Sequence, residues 1–262
     1  MSVLHPTLEP GHAPAPMAAR IVQVIQTDRS SLIERIAIAG EDLVRKSFRP
    51  RPMSRLRTFL CRSRGEREFT NLRRLMAAAV PTVRPVGWDE ERRLGCVVRT
   101  DLVTAYVADA TDLRAMLRGL PRGRSDTALR RRALAAGYGR LIRQLHEAGF
   151  VSTSVQPRNV LVRGNGVEMC LCDQPWLIGL GRSAVGSRSG DIDLYDIAFS
   201  SARCQEFSAV ERWRTVLAYC GGERDAARQL WRRLTGRGPR RQHVAKQLTR
   251  GHPGRRTGSQ PG

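Results

Sequence analysis

The chain has 262 residues, 41% of them hydrophobic, which supplies enough apolar material for one large domain or two small lobes and argues against disorder throughout. No apolar run approaches the roughly 18 residues that a membrane-spanning helix needs, and no basic segment leads into an apolar one at the N-terminus, so a soluble, non-secreted protein is expected. A formal charge of +21 calls for an anionic partner: nucleic acid, an acidic membrane surface or a phosphorylated substrate.

Residues 1–18 are rich in Pro and Gly without an apolar period and read as a disordered leader, within which Met17 is an alternative start. "IVQVI" then reads as a strand, and "ERIAIAGEDLVRKSF" as a hairpin around Ala39-Gly40-Glu41-Asp42, with Ile36 and Ile38 alternating before the turn and Val44, Lys46 and Phe48 after it. Lys46 is conspicuous. Only it and Lys246 are lysines among 45 basic residues, so a compact ammonium is wanted here where the chain otherwise writes a guanidinium.

Next comes a helix, "GEREFTNLRRLMAAAV", on which Glu68, Leu72, Leu75 and Ala79 share one face, with Glu66 as a near rival for any role given to Glu68. "CVVRTDLV" is a further strand, and "TDLRAMLRGL" a short helix that Thr111 is placed to cap. A longer helix over about 127–148 sets Leu134, Tyr138, Leu141 and Leu145 on one stripe and stops at Gly149. A polar loop, "STSVQPRN", follows, then a hairpin, "NVLVRGNGVEMCLCD", turning at Gly164-Asn165-Gly166 and ending at Asp173. Beyond residue 190 the pattern is helical, with a capping box at Ser208 and Glu211 and with Val210, Trp213 and Leu217 on one side. From residue 237 to 262 there are seven basic residues and no acidic one, a disordered basic tail. The six cysteines lack paired zinc spacing and read as reduced thiols, Cys170 and Cys172 sharing one face of a strand.

The order of parts carries more than any one of them: strand lysine, helix glutamate, further strands, a long helix, a polar loop ending in Asn, a hairpin, an aspartate. Protein kinases have that order. Their strand Lys meets the nucleotide phosphates and pairs with the helix Glu, while the loop Asn and the post-hairpin Asp hold magnesium. The corresponding positions are Lys46, Glu68, Asn159 and Asp173. Amide and carboxylate oxygens suit a hard ion such as Mg²⁺, and ATP is the cofactor expected with it.

The phrases "VRKSF", "REFTNLRRLMAAAVPTVRPVGW", "LIRQLHEAGF", "PRNVLV" and "RWRTVLAY" resemble the lipopolysaccharide kinase (Kdo/WaaP) family over about residues 30–222. The resemblance implies an α+β, protein-kinase-like fold of two lobes, here residues 19–108 (β-rich) and 109–236 (mainly helical). It also implies phosphate transfer from ATP to a sugar of the lipopolysaccharide core, an anionic glycolipid acceptor and a cytoplasmic position at the inner membrane. One departure matters chemically. Five positions before the metal-binding Asn a kinase carries the Asp that accepts the proton of the attacking hydroxyl, and here that position is Ser154, in the triplet Ser152-Thr153-Ser154. A hydroxyl is no base near neutral pH, and general base catalysis is worth about 10² to 10⁴ in rate. Gln174-Pro175 also replaces the Phe-Gly that follows the metal Asp in protein kinases. The expected function is therefore a divergent sugar kinase of weak or lost activity, or a pseudokinase working through nucleotide or partner binding. An Arg-rich nucleic-acid binder fits less well, because the arginines are dispersed and aromatic residues are only 5%.

Overall fold

The computed structural model describes residues 19–28, 30–51, 55, 58–59, 61–164, 168–198 and 204–236. The leader, the basic tail and residues 165–167 of the hairpin turn lie outside them. Two compact units emerge, one holding the chain up to Ala77 with Thr82–Ala108, the other Ala78–Pro81 with the chain from Asp109 onward.

The first unit is a five-stranded antiparallel sheet, β1 (Arg20–Thr27), β2 (Ser31–Ile38), β3 (Glu41–Phe48), β4 (Pro85–Arg93) and β5 (Cys96–Ala105), in the order β1-β2-β3-β5-β4. The β2–β3 turn forms at Ala39 and Gly40, both in the left-handed region, and pairs Lys46 with Ile33 on one side; β5 sets Leu102 opposite it on the other. Strand β4 (PVGWDEERR) is absent from the sequence reading because five consecutive charged residues mask any alternation. It is an edge strand, and outward positions there tolerate charge.

Helix α1 (Arg64–Ala77) packs on β4 and β5 through Glu68, Asn71, Leu72 and Leu75. Its approach is close: a Cβ on Gly65 would collide with Thr100 Oγ1. Ala79 does not continue the face as expected. The helix ends at Ala77, and Ala79 lies exposed with φ 55 in the turn that follows.

The second unit is built on α3 (Ser125–Glu147), which buries Leu134, Tyr138, Leu141 and Leu145 along the expected stripe, together with Ala135 and Ile142. Around it lie β6 (Ala110–Asp112), α2 (Leu113–Arg118), β7 (Phe150–Ser152), β8 (Val160–Arg163), β9 (Glu168–Leu171), β10 (Leu177–Gly179), α4 (Asp191–Ala198), α5 (Ala209–Tyr219) and α6 (Arg224–Thr235). Strands β6, β8 and β9 form one small sheet, and β7 pairs with β10. The cap of α2 is Asp112, which accepts from Ala115 N–H; Thr111 is held in β6 by its pairing with Val162 and is not the cap.

Helix α5 starts on the expected capping box, Ser208 and Glu211, but turns a different face inward. Glu211, Thr215, Val216 and Tyr219 are buried and Val210 is exposed, while Trp213 lies edge-on to Trp231 of α6. What rotates the helix is a polar anchor. Arg131, 3% exposed, meets Glu211 through Nε (2.6 Å) and Nη2 (3.0 Å) and donates also to the carbonyls of Leu117, Leu120 and Glu206. The helices touch closely because α3 has Gly139 there, where a Cβ would overlap the Thr215 carbonyl.

Burial raises the Glu211 pKa, but the Arg131 guanidinium and the Ser208 N–H outweigh it and hold the carboxyl below its ordinary value. Its stabilisation is thus complete above the ordinary carboxylate range and is lost as pH falls through the lower folded value. Arg131→Met strands the carboxylate and should lower stability by about 3 kcal/mol or more at neutral pH. In urea titrations the gap from wild type should narrow on acidification through that range.

Candidate active site

In the first unit the sequence puts an ammonium among apolar neighbours on β3 and a carboxylate on the buried face of α1. The two meet. Lys46 Nζ lies 3.0 Å from Glu68 Oε1, with the side chains 10% and 0% exposed. Glu66, the rival, faces outward and pairs with Arg62 at 3.4 Å. Arg64 approaches the second oxygen of Glu68 at 4.0 Å, so the carboxylate lies between two cations of unlike kind. Removing both charges from water is costly, and the pair persists because attraction in a dry site offsets that cost. It leaves one compact positive charge held at a fixed place on the sheet.

In the second unit the polar loop is organised by main-chain atoms. After α3 the chain reverses at Gly149, φ 79, where a Cβ would press on the Arg182 backbone, and enters β7. It then passes Ser154 and closes in a single 3-10 turn at Pro157–Asn159. Asn159 donates from Nδ2 to the Ser154 carbonyl at 2.8 Å, and Gln156 N–H donates to the same carbonyl at 2.9 Å. With its nitrogen so committed, the Asn159 side chain has its oxygen left for another partner. Strands β8 and β9 pair Val160 with Leu171, and Cys172 N–H donates to the Asn159 carbonyl at 3.0 Å. Asn159 and Asp173 therefore stand at the same end of that strand pair. Ser154 is 7% exposed, and its N–H donates to Ser152 Oγ at 3.1 Å.

Four residues that support this loop escaped the sequence reading. Asp193 Oδ2 accepts from Ser152 N–H at 2.7 Å and lies 3.1 Å from His146 Nε2. His146 Nδ1 is 2.8 Å from the Tyr219 hydroxyl, which takes a further bond from the Gly186 backbone. Burial pushes the Tyr219 phenol well above its ordinary pKa, so the hydroxyl stays protonated, and donation from His146 Nε2 to Asp193 leaves Nδ1 to accept from it in the neutral imidazole. Ser152 Oγ, with one proton to give, lies 2.6 Å from Gln174 Oε1 and 2.8 Å from the Trp176 carbonyl. It ties the loop to the segment directly after Asp173. The sequence signals were the family-like phrases "LIRQLHEAGF" and "RWRTVLAY", which contain His146 and Tyr219, and the departure at Gln174, none of which pointed to this role; Asp193, in "DIDLYD", stands twenty residues beyond the hairpin without a motif.

The sequence profile of the lipopolysaccharide kinase (Kdo/WaaP) family matches residues 27–219. This chain belongs to that family. Among curated proteins, the 3-deoxy-D-manno-octulosonic acid kinase of Actinobacillus succinogenes is 31% identical over 134 residues, 51% of this chain and 50% of that one. The kinase of the same name from Haemophilus influenzae is 28% identical over 130 residues, 49% and 48% of the two chains. The chain thus spans about half the length of the curated relatives it matches. A solved structure, WaaP in complex with acyl carrier protein, superposes with a TM-score of 0.57 at 18% identity, covering 86% of this chain and 88% of that one, which establishes the kinase-like α+β fold.

A kinase family implies ATP with Mg²⁺. The donor set of this Kdo/WaaP-family chain fits such an ion: an amide oxygen fixed by the bond from its own nitrogen, and a carboxylate at the same strand ends. No cluster of three or more His, Cys, Asp or Glu occurs among the described residues.

The Lys46–Glu68 pair makes a separable prediction. Lys46→Met leaves a carboxylate buried without its ammonium and should cost about 3 to 5 kcal/mol, whereas Lys46→Met with Glu68→Leu should cost clearly less than the sum of the single changes. Denaturant unfolding of the four proteins gives the coupling directly.

Proposed function

We propose that this chain binds ATP with Mg²⁺ and transfers phosphate to a sugar hydroxyl of the lipopolysaccharide core, slowly, for want of a catalytic carboxylate. The observation that carries the reading is the bond from Asn159 Nδ2 to the Ser154 carbonyl. It ties the metal-ligand position to the residue five places earlier, where kinases keep their base. Lys46, steadied by Glu68, is assigned to the nucleotide phosphates, and Asn159 and Asp173 to the metal. The bound ion would neutralise charge on the transferred phosphoryl group. Ser154 has a hydroxyl to orient the acceptor by hydrogen bonding but no basicity to take its proton, and that deficit is worth about 10² to 10⁴ in rate. What survives is positioning and electrostatics, which supply most of phosphoryl-transfer catalysis.

The acceptor is an anionic glycolipid, met at the cytoplasmic face of the inner membrane. No helix among the described residues is long and apolar enough to cross a membrane, so attachment is peripheral in this proposal, with the basic tail after Gly236 contributing. Nucleic acid fits poorly. Arg35, Arg45, Arg99, Arg114, Arg131 and Arg233 are each engaged by a carboxylate within the protein.

A second reading rests on the same Ser154: a pseudokinase that binds nucleotide without transferring phosphate. Single-turnover assays with purified core glycolipid at saturating ATP separate the two. The first reading expects slow wild-type transfer, raised about 10²-fold by Ser154→Asp at nearly unchanged nucleotide affinity and abolished by Asp173→Ala. Magnesium-dependent nucleotide binding with no transfer in either protein would establish the pseudokinase.

A further inference from the structure

The β4–β5 hairpin closes through Leu94 and Gly95, both in the left-handed region with φ of 49 and 76. A two-residue turn of that kind selects Asn-Gly or Asp-Gly, and a Cβ-bearing apolar residue in the first place is disfavoured by its own backbone. Leu94 is also 99% exposed, so no packing within the protein compensates.

Beside it stands Phe59, 61% exposed, lying against Gly95 so closely that a Cβ there would overlap the ring. Its position is fixed by its neighbour. Thr58 Oγ1 accepts from Val97 N–H at 2.9 Å, and Arg92 Nη1 donates to the carbonyls of Thr58 (3.2 Å) and Gly95 (2.8 Å). Two large apolar side chains are thus presented together on a braced tip.

The charges around the tip have one sign in excess. Glu90 and Glu91 are taken up by Arg92 and Arg93 at 2.5 and 2.8 Å, so the charges next to the turn balance, and Asp89, beyond them on β4, is the acidic residue left over once Asp101 pairs with Arg99. Between Phe48 and Ser63 the sequence carries five arginines and no acidic residue, and Arg49, Arg51 and Arg62 are exposed. Arg62 is partnered by Glu66, and Asp28, held ionised by Ser30 and Ser31 with its pKa lowered to about 2, is an acidic group near Arg49, whose N–H bonds to Ser30.

We propose that this tip is a membrane-docking element, inserting Leu94 and Phe59 shallowly into an anionic bilayer while the exposed Arg49, Arg51 and Arg62 meet lipid phosphates. Two side chains are far too little for a protein interface, which needs on the order of 800 Å² per partner, but suffice for shallow insertion helped by surface charge. The assignment rests on the reading above in which the acceptor is presented at a membrane.

The test is co-sedimentation of the full chain with phosphatidylcholine vesicles, with and without phosphatidylglycerol. Wild type should bind the anionic vesicles, less so at high salt, and Leu94→Asn should weaken that binding about tenfold, as should Phe59→Ser. Leu94→Asn suits the turn, so its thermal midpoint should hold or rise and a loss of binding will not reflect misfolding. Unchanged vesicle binding in Leu94→Asn overturns the proposal, as does a change confined to self-association in light scattering, which would make the tip a contact between copies of this chain. Transfer to a water-soluble core oligosaccharide keeps the two ideas apart. Equal transfer by wild type and Leu94→Asn with weaker vesicle binding by the variant supports docking; equal transfer with equal binding sinks docking alone. Weaker binding by the variant with no transfer by either protein keeps docking and removes the kinase.

Discussion

The polar loop of the second unit hangs on one buried carboxylate oxygen. Asp193 Oδ2 takes the Ser152 N–H and the His146 ring together, and His146 is itself held by Tyr219. Each group bonds to the next, and breaking a link would orphan a buried donor or acceptor at about 1 to 3 kcal/mol, a cost the site already carries at Asp193 Oδ1, which has no hydrogen-bond partner among the described residues. The consequence runs outward. With Ser152 pinned at its backbone, its hydroxyl fixes both Ser154 N–H and the segment after Asp173, and Asn159 closes the loop on the Ser154 carbonyl. A short polar loop is thereby tied to α3, α4 and α5, the last two more than forty residues beyond the first.

Charge in this protein is used mainly for internal construction. Arg131 holds α5 against α3, Glu206 gathers Arg114 and Arg118, and Arg233 grips Asp191 through two bonds. A guanidinium with five donors in a plane suits such bridging, and its frequency here reflects that geometry as much as any external partner. Lys46 is the exception in both composition and setting. Its ammonium is a point charge set against the Glu68 carboxylate rather than a fork that bridges several acceptors.

The fold was legible where period and punctuation agreed. The β2–β3 hairpin, the stripe of α3 and the capping box of α5 are local properties, and each appears at the expected residues. Strand β4 was hidden because an edge strand need not alternate, and the inward face of α5 was misread because Glu211, a charged residue, is the one drawn in by Arg131. The site divides similarly. Lys46, Glu68, Asn159 and Asp173 were named from chain order, and the structure joins the first two directly and sets the last two at one end of a strand pair. His146, Asp193, Gln174 and Tyr219 were out of reach because their importance lies wholly in contacts across 22 to 73 residues of sequence. Pairings of that span leave no periodic trace.

The support given to residue 154 comes through its amide and carbonyl, which every amino acid except proline supplies alike. The hydrogen bonds that shape the loop therefore do not depend on what the side chain there can do, although a larger or charged group must still fit a site only 7% exposed. A lineage is free to trade the acid for a hydroxyl, or the reverse, while the scaffold persists, so loss of chemistry at this position leaves no scar in architecture. Members of one family with the same loop geometry and opposite competence are what such a design permits, and resemblance in shape alone will not tell them apart.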